Sequence, residues 1–156
     1  MLAIAIPGSP TLRLEHLVLD FNGTMACDGV LLEGVPALLD ALSKHLRIHV
    51  VTGDTFGRAA EALAGLPCSV TTLDVANQAA AKLEFLQRLG PRQTVCIGNG
   101  RNDRLMLGAA ALGICVMQAE GASVEALSAA KVIAPRIHDA LRMLLNPLRL
   151  AATLRD

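Results

Sequence analysis

The sequence has no tryptophan and no tyrosine, and Phe21, Phe56 and Phe85 are its three aromatic residues. Its core must therefore be aliphatic, and it offers no aromatic platform on which bases could stack. Nor does one charge dominate: fourteen basic residues face fourteen acidic ones, with no Lys/Arg block to track a phosphate backbone. Nucleic acid is a poor partner on these grounds. The four cysteines, Cys27, Cys68, Cys96 and Cys115, form no CxxC pair, so the usual zinc and dithiol signatures are missing and the thiols read as reduced packing residues. The longest apolar or glycine run, 105–117, is divided by Gly108 and Gly113 and falls short of the ~18 residues of a membrane span. The opening MLAIAIPGSP lacks a basic leader and is broken at Pro7, too early for the apolar stretch of a signal peptide. A soluble, cytoplasmic protein with no membrane partner is expected.

What is present is a chain of 156 residues, 53 % of them apolar, enough to bury one aliphatic core in a single domain over 1–156. Short β-rich runs alternate with Ala/Leu segments carrying apolar residues every three or four positions, the pattern of an α/β fold. Strands are predicted at 16–19, 45–52, 68–73, 94–98, 113–117 and 132–134, and helices at 35–43, 55–64, 74–89, 102–111, 123–130 and 136–153. Near-continuous apolar runs such as HLVLD and TVCIG fit a mainly parallel sheet covered by helices on both faces, a three-layer arrangement. At the N-terminus, runs 2–6 and 11–15 flank Pro-Gly-Ser-Pro, which suits the turn of a small hairpin.

In such sheets ligands bind beyond the carboxyl ends of the strands, and there the chemically loaded residues collect. The run 16–19 leads into Asp20-Phe21-Asn22-Gly23-Thr24, the run 45–52 into Thr52-Gly53-Asp54-Thr55, and the run 94–98 into Gly98-Asn99-Gly100-Arg101-Asn102-Asp103; Lys82 lies on the helix between the last two. Phosphoryl transfer to a carboxylate needs a nucleophile, a cation and donors for the phosphate oxygens, and oxygen ligands for a divalent metal. Asp20, Lys82, the Thr52 hydroxyl with nearby backbone amides, and Asp103 with Asn99 fill those roles. Each fragment alone has a plainer reading: a turn at 20–24, a helix cap by Asp54 or Thr55, a turn capped by Asn102, a solvated lysine. Their conjunction, in order and each at the proper end of an element, favours the chemical reading.

Through LVLDFNGT, VVTGDT, the lysine of AAKLEFLQRLG, and TVCIGNGRNDRLML, the sequence resembles the haloacid dehalogenase (HAD) superfamily of phosphohydrolases. Within that superfamily it is most similar to the phosphorylation domain of P-type ATPases and their small soluble relatives. The resemblance covers residues 17 to about 133 and implies a Rossmann-like sheet with Asp20 as the phosphorylated nucleophile. It further implies that Thr52, Gly53 and Lys82 bind the substrate phosphate, and that Asp20, the carbonyl of Asn22, Asn99 and Asp103 hold Mg²⁺.

Two positions depart from the superfamily pattern. Asn22 stands where most of these phosphatases carry the aspartate that protonates the leaving group and then activates water, a contribution of about 10²–10⁴ in rate. Slow turnover, or a preference for good leaving groups such as acyl or aryl phosphates, is therefore expected, consistent with the P-type likeness. Asn99 replaces a further aspartate, which removes one negative charge from the metal site. Cys27 and Asp28, in the flap 25–34, are candidates for a substitute acid, although Asp28-Gly29 is also a good turn pair. His49 reads as a packed or hydrogen-bonded strand residue, His16 and His138 show no partner in the sequence, and Arg101 and Arg104 read as a solvated helix edge. Thirty-one residues separate Asp20 from Thr52 and twenty-nine separate Thr52 from Lys82, too few for the cap domain of many relatives. By resemblance, an open site, a phosphorylated small-molecule or protein substrate and a homo-oligomer follow. The alternative is a catalytically impaired scaffold that binds a phosphorylated ligand or a protein.

Overall fold

The computed structural model describes residues 1–54, 57–73 and 75–156. An antiparallel hairpin, β1 (Leu2–Ile4) and β2 (Leu12–Leu14), is followed by β3 (His16–Leu19), a flap of β4 (Ala26–Cys27) and β5 (Val30–Leu31), then α1 (Val35–Ser43) and β6 (Arg47–Thr52). Next come α2 (Arg58–Ala62), β7 (Ser69–Thr72), α3 (Gln78–Leu89), β8 (Thr94–Gly98), α4 (Arg104–Ala109) and β9 (Leu112–Val116). The chain finishes with α5 (Val124–Ala129), β10 (Val132–Ala134), α6 (Ile137–Leu145) and α7 (Pro147–Leu154).

Among the described residues, six strands form one parallel sheet in the order β10-β9-β8-β3-β6-β7. Its central strands are apolar on both faces, as crossover helices above and below require. Leu17, Leu19, Val50, Ile97 and Ile114 point to the side covered by α1, α2, α6, α7 and the N-terminal hairpin. Val18, Val51, Cys96 and Cys115 point to the smaller core under α3, α4 and α5. This is the three-layer α/β fold expected, with the hairpin in place. All four cysteines are free, and burial pushes the Cys115 thiol up to about 11 and Cys96 higher still, so both are packing groups. No helix of the described residues is long and apolar enough to cross a membrane.

The helix expected over 136–153 is two helices, broken at Asn146. Pro147 has no N–H to continue the ladder and crowds the residue before it, leaving Asn146 extended at φ −126°, ψ 76°. Helix starts also differ. The expected helix 102–111 opens as a 3₁₀ turn, Arg101–Asp103. The one expected from 74 opens as a 3₁₀ turn, Val75–Asn77, and its first residue, Asp74, lies outside the described residues, as do Thr55 and Phe56 of the helix expected over 55–64. In the flap, Asp28 (φ 51°) and Gly29 (φ 78°) are both left-handed, the geometry a two-residue hairpin turn demands.

Candidate functional site

The carboxyl ends of β8, β3 and β6 lie side by side at the point where the chain leaves β3 in one direction and returns on its other flank, the usual position of a ligand crevice. Asp20 is the first residue beyond β3. Its N–H donates to the carbonyl of Ile97 at 3.0 Å, and its carboxylate is almost wholly buried. The turn after it is wound tightly, since the Phe21 carbonyl accepts the N–H groups of Thr24, Met25 and Ala26 at 2.9–3.2 Å.

Lys82 projects from α3 into this end of the sheet and is completely buried. Its Nζ donates to Asp20 Oδ1 and to Asp103 Oδ1, each at 2.6 Å. A buried lysine is tolerable only with such partners. Burial alone would lower its pKa, but the two carboxylates more than offset this and raise it above the ordinary lysine value. Two carboxylates against one ammonium leave a net negative charge. Burial first, and the Asp103 charge second, push the Asp20 carboxyl up to about 6, against the opposing pull of Lys82.

Asp103 is fixed from its other side as well, because Oδ2 accepts the N–H groups of Asn99 and Gly100, each at 2.9 Å. The cap of this turn is therefore Asp103 and not Asn102, whose Nδ2 instead donates to Gln78 Oε1 at 2.6 Å. Gly98 makes room for the carboxylate: a Cβ there would sit 2.5 Å from Asp103 Cγ. Thr24 Oγ1 lies 3.3 Å from Asp20 Oδ2 and 3.2 Å from Asn99 Oδ1, so the two oxygens converge on one hydroxyl. Asn99 Nδ2 donates to the Gly121 carbonyl at 3.0 Å.

Thr52 ends β6, buried, and its Oγ1 accepts the N–H of Asp54 at 3.2 Å. Gly53 lies against the Gln78 side-chain amide. Asp54 caps α2 through Oδ2, which accepts the Ala59 N–H at 2.7 Å. Asn22 is exposed at the mouth. Asp28 is exposed in the flap, where its N–H donates to Glu120 Oε1 at 2.8 Å, and its carboxylate and Cys27 Sγ lie close to that of Glu120. Arg101 pairs with Glu125 at 3.1 Å on the surface, and Arg104 donates to the Arg101 carbonyl, the solvated edge expected. His16 does have a partner, His49, and His138 Nε2 lies 2.7 Å from the Glu33 carbonyl.

Asp20, Lys82, Asp103, Asn99 and Thr52 thus occupy one end of the sheet. The sequence reading missed Thr24, Gln78 and Gln118. Thr24 lies in a motif already singled out, four residues past Asp20. The two glutamines carry no local signature, since only the fold brings them to the site.

No family model matches the chain. An uncharacterized protein of Methanocaldococcus jannaschii, MJ0073, is 44 % identical over 80 residues, which span 49 % of this chain and 86 % of that protein. Among solved structures, a HAD superfamily (subfamily III A) hydrolase from Legionella pneumophila matches with a TM-score of 0.73 at 13 % identity, covering 92 % of this chain and 88 % of the other. The 3-deoxy-D-manno-octulosonate 8-phosphate phosphatase of Moraxella catarrhalis, in complex with magnesium, phosphate and KDO, matches with a TM-score of 0.73 at 12 % identity, over 87 % and 88 % of the two chains. The cobalt-bound deoxy-D-mannose-octulosonate 8-phosphate phosphatase of Haemophilus influenzae gives 0.72 at 13 % identity, over 90 % and 92 %. The chain therefore has the fold of the HAD-superfamily phosphatases and belongs to the same sequence family as the Methanocaldococcus protein.

Proposed function

We propose that this chain is a Mg²⁺-dependent phosphohydrolase that works through a phosphoenzyme on Asp20. The observation that carries this reading is the buried Lys82 ammonium held 2.6 Å from both Asp20 and Asp103 at the switch point of a HAD-type sheet. Asp20 attacks phosphorus in line, a carboxylate O–P bond forms as the ester P–O bond breaks, and the leaving oxygen departs with the bonding pair. Water then opens the acyl phosphate, which frees inorganic phosphate and restores the carboxylate. Lys82 neutralises charge on the transferring group, and the Thr52 hydroxyl and the Gly53 N–H donate to its oxygens.

The residues fit a hard divalent cation. Asp20, Asp103, the Asn99 amide and the Asn22 carbonyl are all oxygen donors, and the buried carboxylates exceed the buried ammonium by one charge. When bound, Mg²⁺ would supply positive charge to the phosphoryl oxygens. Magnesium in the Moraxella structure and cobalt in the Haemophilus one support a divalent ion here.

Asn22 supports slow release of phosphate and good leaving groups, as the P-type ATPase likeness implies, and the short flap supports an open site facing a small molecule or a protein. A homo-oligomer that covers this mouth in the cytoplasm completes the proposal. The second reading, an impaired scaffold, rests on the asparagines at 22 and 99. Phosphate release from acetyl phosphate, p-nitrophenyl phosphate and sugar phosphates, with and without Mg²⁺, separates the two. Metal-dependent turnover lost in Asp20→Asn is the expected result; a folded protein inactive on every substrate would favour the scaffold.

A further inference from the structure

We infer that Gln118, just beyond β9, is a positioning residue that holds the nucleophile-bearing turn in its working shape. Its side chain spends every hydrogen-bonding group it has on three backbone partners. Nε2 donates to the carbonyls of Gly23 at 3.0 Å and Thr24 at 2.6 Å, and Oε1 accepts the N–H of Ile137 at 3.1 Å. That N–H is one of the first-turn donors of α6, which have no partner inside the helix. One amide thus ties residues 23–24 to the start of a helix more than a hundred positions away in the chain.

The backbone of Gln118 is itself in the left-handed region, φ 44°, where a side chain of this kind is uncommon. Such a conformation persists only where its surroundings over-determine it. They do so here, because the Gln118 N–H donates to Pro135 at 2.9 Å and its carbonyl accepts from Gly121 at 3.3 Å. Glycine at 118 would relieve the backbone and forfeit all three side-chain bonds.

The segment from 118 to 123 acts as a strap across the mouth. Gln118 grips the 23–24 peptides, Glu120 accepts the Asp28 N–H, the Gly121 carbonyl takes Asn99 Nδ2, and the Ser123 N–H donates to the Asn99 carbonyl at 2.9 Å. Gln118 is the member that reaches the turn carrying Thr24, whose hydroxyl meets both Asp20 and Asn99. Releasing it lets the Thr24 hydroxyl and the carbonyl at 22 drift while Lys82, Asp103 and the sheet stay in place.

The test uses the full chain with Gln118→Glu and Gln118→Ala. Glutamate keeps an acceptor for the Ile137 N–H but cannot donate to the two carbonyls while ionised. The expected result is faster amide hydrogen exchange at residues 23–26 in both variants, with the Leu86 amide of α3 unchanged. Under the proposed phosphatase reading, kcat falls by about 10²-fold, as loss of reactant alignment does, with KM nearly constant. The loss in Q118E shrinks as pH falls, because a protonated carboxyl donates again, whereas Q118A shows no such recovery. Unchanged exchange at 23–26 in the folded variants would overturn the proposal. If the wild type releases no phosphate, exchange alone decides Gln118 and the phosphatase reading fails separately. Should neither variant fold, scalar couplings across the Nε2–H···O=C bonds to Gly23 and Thr24 in the wild type decide: present, the grip stands; absent, it falls.

Discussion

An amide at position 22 can neither give a proton to a departing alkoxide nor take one from water, and its place at the exposed mouth leaves room for a carboxyl in its stead. If Asn22 limits the reaction, Asn22→Asp should speed turnover of alkyl phosphates toward the ~10²–10⁴-fold that general acid–base help supplies. Aryl phosphates should gain less in the first step, because their leaving groups need no proton. Steady-state rates on the two classes, wild type against variant, give the answer. An unchanged or lower rate on alkyl phosphates would remove Asn22 as the bottleneck. Asp20, Lys82 and Asp103 respond differently to substitution because they are buried and mutually bonded, so removing Lys82 leaves two buried carboxylates with no counter-charge.

At the scale of elements, β3, β6 and β7 are joined by more than their backbone ladder. His16 Nδ1 lies 3.0 Å from His49 Nε2, His49 Nδ1 lies 3.0 Å from Ser69 Oγ, and Phe85 of α3 meets the His49 ring edge-on. Burial first, then Arg47, lowers the His16 pKa against the pull of Glu15; burial, His16 and Arg47 lower that of His49. The unfolded chain therefore takes up protons near pH 6.5 that the native pair refuses, and this pair costs stability as pH falls from about 7 to 5. His49→Gln should flatten that part of the pH profile relative to wild type, read by denaturant melts; parallel profiles would sink the idea. This relay shows where sequence reading stops. His49 was legible as a hydrogen-bonded strand residue, but its partners come from registers that pair Val18 with His49 and His49 with Ser69. Strands, hairpin and most helices were legible because apolar period and turn residues are local signals. The break at Asn146 was legible in Pro147 yet masked by apolar spacing that runs straight through it. At the site, Asp20, Thr52, Lys82 and Asp103 stood out because each follows or faces a strand end, whereas Gln78 and Gln118 reach the site only through the folded chain.

For the whole molecule, the site is a charge imbalance set into the end of the sheet, and global stability must register it. The unfolded Asp20 ionises near 3.8 and the native one at about 6, so between those values the native state holds more protons than the unfolded one. The Asp20 contribution to stability is then full below about pH 4 and is lost as pH rises through 6, on the order of 3 kcal/mol in the absence of metal. Asp20→Asn removes the charge and keeps an acceptor for Lys82. In EDTA at pH 7.5 the variant should melt several degrees above wild type, and the difference should close toward pH 4; because the histidines are common to both proteins, their opposite slope cancels. Mg²⁺ at about a thousand times its Kd should reverse the order, since it stabilises the wild type by about 4.1 kcal/mol and the variant has lost a ligand. Thermal melts across pH, with EDTA or Mg²⁺, measure all of this. A variant less stable than wild type in EDTA at pH 7.5 would show that the Lys82 pair outweighs burial, and that Asp20 enters the fold already balanced without a metal.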